Sequence, residues 1–408
     1  MELRRTFFAA AATAGAVALA VSGCASNGSS AGRGGASGPF NVLVVLPLSG
    51  TGAAEGQAEL QGVKGAAAVL NAHGGILGHK VVLTADDDQA NPSMAITDIQ
   101  NVVSGGSKPN LVIAGASSNE TDAVAPILNR AKVLNIEDDD DPKIDNGAAT
   151  PYTFCSTVSI PSVIGALVAY VKSLHASKVG FVYANDALGS AVGQYEAGAL
   201  KQAGVNVVAA SYSATALDDT ATLLKLKSQN PDVLVTEGLG PQAGYLYSSR
   251  AKIGWNIPTV GDSAVAASGL AGLVPAADLV NVKLQAFADQ QYRPFAEQST
   301  AMQSFIKAVA AAGPITQPIS SIEFAYDALM FADEAAVQAG SVTTDAMMNA
   351  LEHLRSTASV VGFVNPAFTS ASHVIDAPPS NYVFVPASGI TSGFFDVPAG
   401  TPAGSITG

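Results

Sequence analysis

Short apolar runs alternate with longer, helix-like segments along most of the chain. The runs are bounded by glycine or polar residues and predict β-strands at 41–47, 79–85, 111–115, 133–136, 178–184, 205–212, 232–238 and 257–261. The segments between them predict α-helices over 55–75, 93–104, 121–131, 160–175, 219–229 and 241–253, with one more that ends near residue 203. Regular alternation of this kind is typical of βαβ units, in which helices cover both faces of a parallel sheet. The pattern therefore predicts the α/β class.

The alternation falls into two similar runs, residues 40–150 and 160–262, which predicts two lobes. After Leu284 come segments of helical composition, at 303–312, 321–340 and 344–354, and then a turn-rich tail with short strands. The last helices would complete one lobe and the tail strands the other, so that the chain crosses between the lobes more than once. We assign residues 40–157 plus 288–361 to the N-terminal lobe, and residues 158–287 plus 362–395 to the C-terminal lobe.

The first residues have the composition of an export signal. A basic pair, Arg4 and Arg5, precedes an apolar stretch over 7–21 that is too short to span a membrane. The sequence Val-Ser-Gly-Cys, which ends at Cys24, resembles a lipobox and implies cleavage of a signal peptide, residues 1–23, and lipidation of Cys24. Residues 24–39 then read as a Gly/Ser-rich tether. These features predict an exported protein, lipid-anchored to the outer face of the cell membrane.

Two details of this leader stay open. An ordinary signal peptide with a chance cysteine is the alternative to a lipoprotein. The stretch Arg-Arg-Thr-Phe-Phe from Arg4 also resembles a twin-arginine signal, so that export in the folded state is an alternative route.

Composition limits the partners of the remaining chain. Over the whole sequence 48% of residues are hydrophobic and 13% are charged, which is typical of a globular protein. The net charge of −13 argues against nucleic acid or anionic lipid as a partner. The two cysteines are Cys24 and Cys155, so that lipidation of the first leaves no pair for a disulfide.

Motifs for catalysis, metals and cofactors are missing from the sequence. No G-x-G-x-x-G follows the first strand, and neither G-x-x-x-x-G-K-[ST] nor G-x-S-x-G occurs. The five histidines lack the spacing of a zinc site. Two acidic runs, 86–88 and 138–141, lack the alternate spacing of a calcium loop. We therefore predict no cofactor, no metal and no catalysis.

Six stretches, in order along the chain, resemble one known family. They are NVLVVLPLSGTGAAEGQAELQGVKGAAAVLNAHGGILGHKVVL, TADDDQANPSMA, VIAGASSNETDAVAPIL, KVGFVYANDALGSAVGQ, PDVLVTEGLGPQAGYLYSSRAKIGWNIPTVG and FAYDALMFADEAAV. The chain from about residue 40 to 395 is thereby similar to the type I periplasmic solute-binding proteins of ABC importers, in the leucine/isoleucine/valine-binding branch. The resemblance implies two Rossmann-like lobes joined by a multi-strand hinge, with the ligand buried between them when they close.

The resemblance also implies binding residues in the first lobe. The loop after the third strand would offer the hydroxyls of Ser117 and Ser118 to an amino acid, although a serine here could instead cap the following helix. The loop after the fourth strand is Ile-Glu-Asp-Asp-Asp-Asp-Pro, which places Asp139, Asp140 or Asp141 where the family contacts its ligand. A solvated acidic turn is the alternative, because five adjacent carboxylates cannot all face one pocket.

In the second lobe the resemblance places ligand contacts after three strands. The aligned residues are Leu188, Leu239, and either Asp262 or Ser263. Aromatic residues usual at the first two places are absent, which departs from simple recognition of branched-chain amino acids. We expect Trp255 to pack structurally, and Tyr152 and Phe154 are candidates for the cleft wall.

These expectations combine into one function. The protein would be the lipid-anchored, monomeric receptor that delivers a small polar solute, an amino acid or amide-like compound, to an ABC permease in the membrane. The acidic loop favours a solute with a cationic nitrogen or several hydroxyls, because a buried carboxylate needs a donor. A receptor of the same fold that couples to signalling is the first alternative, and a cell-surface enzyme is the second.

Overall fold

The computed structural model describes residues 38–106, 108–138, 146–358, 360–362, 368–387 and 389–396, without the side chains of Thr51, Ala187 and Leu188. The predicted signal peptide, the lipidated cysteine and most of the tether lie outside the described residues. No helix among those residues has both the length and the apolar character needed to cross a membrane.

The first sheet of the described chain has five strands, and every pairing in it is parallel. Its strands are β1 (Phe40–Leu46), β2 (Val81–Asp87), β3 (Leu111–Ala114), β4 (Asn135–Glu137) and β5 (Thr153–Cys155). Their spatial order is β2-β1-β3-β4-β5. The chain therefore reverses its direction of winding between β1 and β3, which is where parallel sheets of this order hold ligands.

The second sheet repeats this arrangement and adds a strand. Its six described strands are β6 (Lys178–Ala184), β7 (Asn206–Tyr212), β8 (Val233–Thr236), β9 (Thr259–Gly261), β10 (Val282–Phe287) and β11 (Tyr382–Pro386). The order is β11-β10-β9-β8-β6-β7, with only the β10–β11 pairing antiparallel. Here the winding reverses between β6 and β8. A short antiparallel pair, β12 (Ile390–Thr391) and β13 (Phe394–Phe395), follows β11.

Helices connect these strands and cover both sheets. They are α1 (Ala53–Ala72), α2 (Pro92–Val103), α3 (Ser118–Ala131), α4 (Ile160–Ser173), α5 (Ala187–Gln202), α6 (Thr220–Lys227), α7 (Pro241–Lys252), α8 (Ser263–Ala267), α9 (Leu270–Leu273), α10 (Thr300–Ala312), α11 (Ile319–Ala339) and α12 (Thr344–Leu351). Several begin at a side-chain cap: Asn91 accepts from the Ser93 N–H, and Asp186 accepts from the Gly189 N–H at 2.7 Å.

The α/β class and the two parallel sheets confirm the prediction from the hydrophobic pattern. Each predicted strand has a counterpart within a few residues, but β5 and β10 were not predicted. β5 has three residues and begins with Thr153, and the polar residues Lys283 and Gln285 alternate with the apolar ones in β10, so that no clear apolar run marked either strand.

The core of the first sheet lies on both of its faces, because the side chains of a strand alternate. Val42 and Val44 of β1 pack towards α1 and α11, while Leu43 and Val45 pack in the cluster that includes α2 and α3. The backbones of α1 and α11 approach so closely that a Cβ built on Gly62 would lie 2.0 Å from the carbonyl oxygen of Ile322. This packing fixes α1, which carries two of the glutamates described below.

The chain passes directly from the carboxyl edge of the first sheet into the second. β5 ends at Cys155, and α4 begins at Ile160. Hydrogen bonds hold this link on both sides: the Ser156 N–H donates to the Glu137 carbonyl oxygen at 2.7 Å, and the Ser159 N–H donates to that of Ile375 at 2.8 Å. The link is therefore short and firmly held.

Candidate functional site

The carboxyl edge of the first sheet contains a narrow cavity at the place where its winding reverses. Leu46 at the end of β1, and Ile113, Ala114 and Gly115 at the end of β3, line it. The cavity leaves no space for a water-sized sphere. The polar residues that line it are Glu59, Glu137, Asp138 and Ser156. The site predicted from the topology rule is thus closed and acidic.

The loop after β3 presents the two serines of the predicted site. Gly115 has φ +105°, a conformation that L side chains rarely adopt. The hydroxyl of Thr121 donates to the carbonyl oxygens of Gly115 at 3.0 Å and Ser117 at 3.2 Å, which fixes the loop on the start of α3. Ser117 occupies the cap position of α3, but its side chain makes no capping hydrogen bond. Ser117 and Ser118 are both half-buried at this edge.

The acidic loop that follows β4 divides into three parts. Glu137 is the last residue of β4 and is buried. Asp138 is half-buried and lines the cavity. Asp139, Asp140 and Asp141 lie outside the described residues, so that their predicted role in binding stays a prediction. The first two acids of the loop therefore lie at the carboxyl edge of the sheet.

Four carboxyl groups from two helices and a loop of the first lobe interact at this edge, and we call them the first acidic cluster: Glu55, Glu59, Asp88 and Glu120. Burial raises the pKa of Glu59 well above its ordinary value, and the negative charges of Asp138, Glu55, Glu120 and Asp88 raise it further. Burial also raises the pKa of Glu55 to about 7. The pKa of Glu120 is raised to about 7, by burial and then by Asp88, although the Ser117 hydroxyl acts in the opposite direction.

Carboxylate oxygens of this cluster lack partners within the described part of the chain. They are Oε1 of Glu59, both oxygens of Glu120 and Oδ2 of Asp88. Glu59 and Glu120 are each 1% exposed. A buried carboxylate without a donor is costly, because it has lost its hydration and gained nothing in exchange. The first cluster is therefore suited to accept hydrogen bonds from a bound molecule.

The carboxyl edge of the second sheet repeats this arrangement. A cavity of about 90 Å³ lies there, and acidic residues from α5, from the loop after β8 and from the loop after β9 line it. We call these residues the second acidic cluster: Glu196, Glu237 and Asp262. The remaining lining includes Ser263 and four aliphatic side chains, Ile160, Val163, Ile164 and Val192.

Part of the second cluster is held by the backbone. Oε2 of Glu237 accepts from the Ala184 N–H at 3.0 Å, across the point where the winding reverses. Oδ1 of Asp262 accepts from the Val265 N–H at 2.9 Å, so that this residue also caps α8. No donor among the described residues reaches Oε2 of Glu196, which is 1% exposed.

Burial sets the protonation of the second cluster. It raises the pKa of Glu237 to about 7, where the Ala184 N–H opposes it. Burial raises the pKa of Glu196 well above the ordinary value, and the charges of Asp262 and Glu237 add to this. The pKa of Asp262 is also raised well above its ordinary value, first by burial and then by Glu237. These carboxyl groups share protons near neutral pH unless a cation joins them.

The two cavities lie close together in space. Ser156 lines the first and Ile160 lines the second. A chain of four residues spans at most about 14 Å when fully extended. The two acidic edges therefore border the same short link.

Of the other residues predicted for this site, some line the second cavity and some lie outside it. Asp262 and Ser263 line the second cavity. Leu239 lies 36% exposed in the loop after β8, outside that lining, and Leu188 lies in the first turn of α5, where its side chain is not described. Trp255 packs in a buried cluster with Val182 and Leu246, as predicted for a structural role.

The two aromatic candidates for the cleft wall are core residues instead. Phe154 stacks on the ring of His373 with 3.8 Å between centroids, and it is 1% exposed. The hydroxyl of Tyr152 donates to Asp345 at 2.7 Å. Neither lines either cavity: Phe154, in the edge strand β5, packs against Phe368 and His373 of the tail, and Tyr152 precedes that strand.

The prediction from sequence missed the glutamates that dominate both edges: Glu59, Glu120, Glu196 and Glu237. Two signals could have revealed some of them. Glu55 and Glu59 are like charges four residues apart on one helix, an unfavourable spacing unless both serve a shared site. Glu237 directly follows β8, at the carboxyl end where ligands bind in parallel sheets.

Larger depressions elsewhere in the described chain have different chemistry. One of about 430 Å³ lies between α1 and the segment after α10, lined by Gln57, Gln61 and Lys64 among others. One of about 450 Å³ lies at the amino ends of β9 and β10. Neither is lined by a carboxylate, and the second lies at the amino ends of its strands. Among the described residues, no three His, Cys, Asp or Glu side chains are placed to hold a metal ion.

Comparison with known proteins identifies the relatives of this chain. The sequence model of a family described as periplasmic binding protein matches residues 39–382. The Leu/Ile/Val/Thr-binding protein of Salmonella typhimurium is 26% identical over 240 residues, which span 57% of this chain and 64% of that protein. An amino acid binding protein of Pseudomonas aeruginosa is 25% identical over 233 residues, 56% of this chain and 62% of that protein. The alignment thus spans less than two thirds of these two relatives.

Solved structures share the fold over a longer stretch. The substrate-binding protein LivJ of Streptococcus pneumoniae, in complex with isoleucine, superposes with a TM-score of 0.69 at 22% identity and covers 81% of this chain and 92% of its own. An extracellular ligand-binding receptor of Rhodopseudomonas palustris gives a TM-score of 0.74 at 19% identity, over 88% of this chain and 99% of its own. At these identities the structural likeness shows the fold alone.

Proposed function

This chain belongs to the periplasmic binding protein family, and from that premise we propose that it is the solute receptor of an ABC importer. The observation that carries the proposal is the pair of polar cavities at the carboxyl edges of two parallel sheets, joined by the link from Ser156 to Ile160. In such an arrangement a solute bridges the two edges and is buried as the lobes close over it. The links between the sheets would absorb this motion.

The solute we propose is a small polar molecule of the amino acid or amide-like class. The relatives support it, since their names give leucine, isoleucine, valine, threonine or amino acids as ligands. In this chain Ser117 and Ser118 would bind one end of the solute, and Asp262 with Ser263 would bind the other. The acidic loop at Asp139 to Asp141 would border the same space. The relatives are binding proteins, which favours binding without turnover.

The cellular setting is part of the same proposal. Export with a lipid on Cys24 would hold the receptor beside its permease, and the tether would let it reach the permease. The lobes would comprise residues 40–157 plus 288–361 and residues 158–287 plus 362–395. A receptor coupled to signalling would have the same binding site, but no observation favours it over transport.

A thermal-shift screen tests the proposal directly. We expect at least one compound from a panel of amino acids, amides, amines and sugars to raise the melting temperature, because binding at 100 times the dissociation constant stabilises by about 2.7 kcal/mol. If no compound of any class stabilised the protein, the receptor function would be wrong.

Substitution of Ser118 by alanine tests the placement of the solute. We expect Ser118→Ala to raise the dissociation constant of the solute found in the screen about 10-fold, because a buried polar group of the solute loses its hydrogen-bond partner. Calorimetric titration of both proteins measures the change. Ser211→Ala, at an exposed serine of β7, is the matched control and leaves affinity unchanged. Equal affinities for Ser118→Ala and wild type would contradict this placement.

A further inference from the structure

The two acidic clusters have one chemical need in common. Within the described chain, no lysine or arginine lines either cavity. Buried carboxylate oxygens without partners nevertheless lie in both clusters, at Glu59 and Glu120 in the first and at Glu196 in the second. A solute that takes the place of the protons held by these buried acids must therefore bring positive charge to each cluster.

A zwitterionic amino acid meets only half of this need. Its ammonium group can join one cluster, but its carboxylate would then face the other, where like charges repel. A molecule with a cationic nitrogen at each end meets both needs at once. Charge-assisted hydrogen bonds between ammonium and carboxylate are about twice as strong as neutral ones, so that each end would be firmly bound.

Aliphatic side chains lie beside the acids in both cavities. The first cavity has Leu46, Ile113, Ala325 and Ala328 beside its acids. The second has Ile160, Val163, Ile164 and Val192. Once the closed first cavity opens, these aliphatic side chains beside the acids suit a methylene chain, whose burial is favourable. The short link between Ser156 and Ile160 limits the separation of the two ends.

We propose, on the basis of the receptor function above but in place of the amino acid class as its solute, that the solute is an aliphatic diamine or polyamine, with one ammonium group in each acidic cluster and no free carboxylate. Glu59 and Glu120 bind the first ammonium group. Glu196 and Glu237 bind the second. The serines after β3 and the cap residue Asp262 shape the pocket around them.

Calorimetric titration of the wild-type protein with a series of diamines tests this. The probes are putrescine, cadaverine and spermidine, and the matched controls are butylamine, the four-carbon diol, L-leucine and calcium chloride. We expect a diamine or spermidine to bind at least about 100-fold more tightly than butylamine, because the second ammonium group adds a second charge-assisted contact. Binding should also release protons, so that the measured heat depends on the ionisation enthalpy of the buffer.

Charge-removing variants test the assignment of the two ends. Glu59→Gln and Glu196→Gln keep the shape of the side chain. Each should raise the dissociation constant of the tightest-binding diamine about 30-fold or more. Glu297→Gln makes the same change at an exposed glutamate and should leave affinity unchanged. The proton release of the wild-type protein gives a second readout that does not depend on the folding of any variant.

The outcomes separate this inference from the receptor function. If leucine or another neutral amino acid bound and no diamine did, the diamine inference would be wrong and the receptor function would stand. Binding of calcium in preference to every amine would also overturn the inference. Absence of binding by all classes, in these titrations and in the wider screen, would remove the receptor function and the inference together.

Discussion

The ligand-free protein is expected to be more stable near pH 5 than near pH 8, by roughly 5 °C in melting temperature or more. The cause is the set of buried carboxyl groups whose pKa is raised in the folded state. Such a group still holds its proton at a pH where the unfolded chain has lost it. Stability therefore falls as pH rises from the unfolded pKa of 4.5 for glutamate to the folded pKa of about 7 for Glu55, Glu120 and Glu237.

Three further buried acids, in the turn after β10 and on α11, also make the stability fall as pH rises. Burial raises the pKa of Asp289 to about 7 and that of Asp327 to about 8, and it raises that of Glu323 well above the ordinary value. Hydrogen bonds lower the pKa of Asp87 and Asp218, so both groups are ionised in the folded and the unfolded state above pH 5 and leave this trend unchanged. The net fall in stability above pH 5 thus follows from the buried groups.

Thermal unfolding monitored by circular dichroism from pH 4.5 to 8.5 measures this effect. Glu59→Gln removes one titrating group, so its melting temperature should exceed that of wild type at pH 8 and converge with it near pH 5. Glu297→Gln should follow the wild-type profile throughout. A wild-type melting temperature that rose steadily from pH 5 to pH 8 would contradict the burial of these charges.

Replacement of Gly115 by alanine is expected to destabilise the protein by about 3 kcal/mol and to abolish measurable solute binding. The residue has φ +105°, and a Cβ built on it would lie 2.2 Å from Oγ1 of Thr121. Thr121 is fully buried and cannot move aside. The loop would therefore shift, and Ser117 and Ser118 would move with it.

Gly165→Ala is the matched control for this change. Gly165 lies exposed within α4, and no atom lies within 4 Å of a Cβ built on it. Alanine there should stabilise the protein slightly, by about 0.5–1 kcal/mol. Chemical denaturation of both variants measures the difference. A Gly115→Ala protein as stable as wild type, with unchanged solute affinity, would show that the loop after β3 neither needs this conformation nor positions the site.

The hydrophobic pattern predicted the fold because it reports burial directly. Runs such as Val42 to Leu46 are apolar at every position, as expected for a strand covered on both faces, and the spacing between runs left room for one helix each. β10 was not predicted because polar residues interrupt its apolar run. One of them, Gln285, is buried, and its side chain donates to the Val163 carbonyl oxygen at 2.8 Å.

The candidate site was predictable only in outline. The topology rule and the resemblance together pointed to the loops after the strands and proposed Ser117, Ser118, Asp262 and Ser263; of these, Asp262 and Ser263 line a cavity, whereas the two serines lie half-buried in the loop after β3 and at the start of α3. They did not locate Glu59 or Glu196, because both lie within helices and reach the strand edges only through tertiary packing. A glutamate in a helix usually reads as a solvated surface residue. Only the three-dimensional structure shows that these two are buried.

The most direct test of the central claim is a crystal structure of the protein with its tightest-binding solute. We predict density for the solute between the carboxyl edges of the two sheets, in contact with Ser117 or Ser118 on one side and with Glu196, Glu237 or Asp262 on the other. Density confined to the depression beside Gln61 and Lys64, or to the one at the amino ends of β9 and β10, would contradict the account.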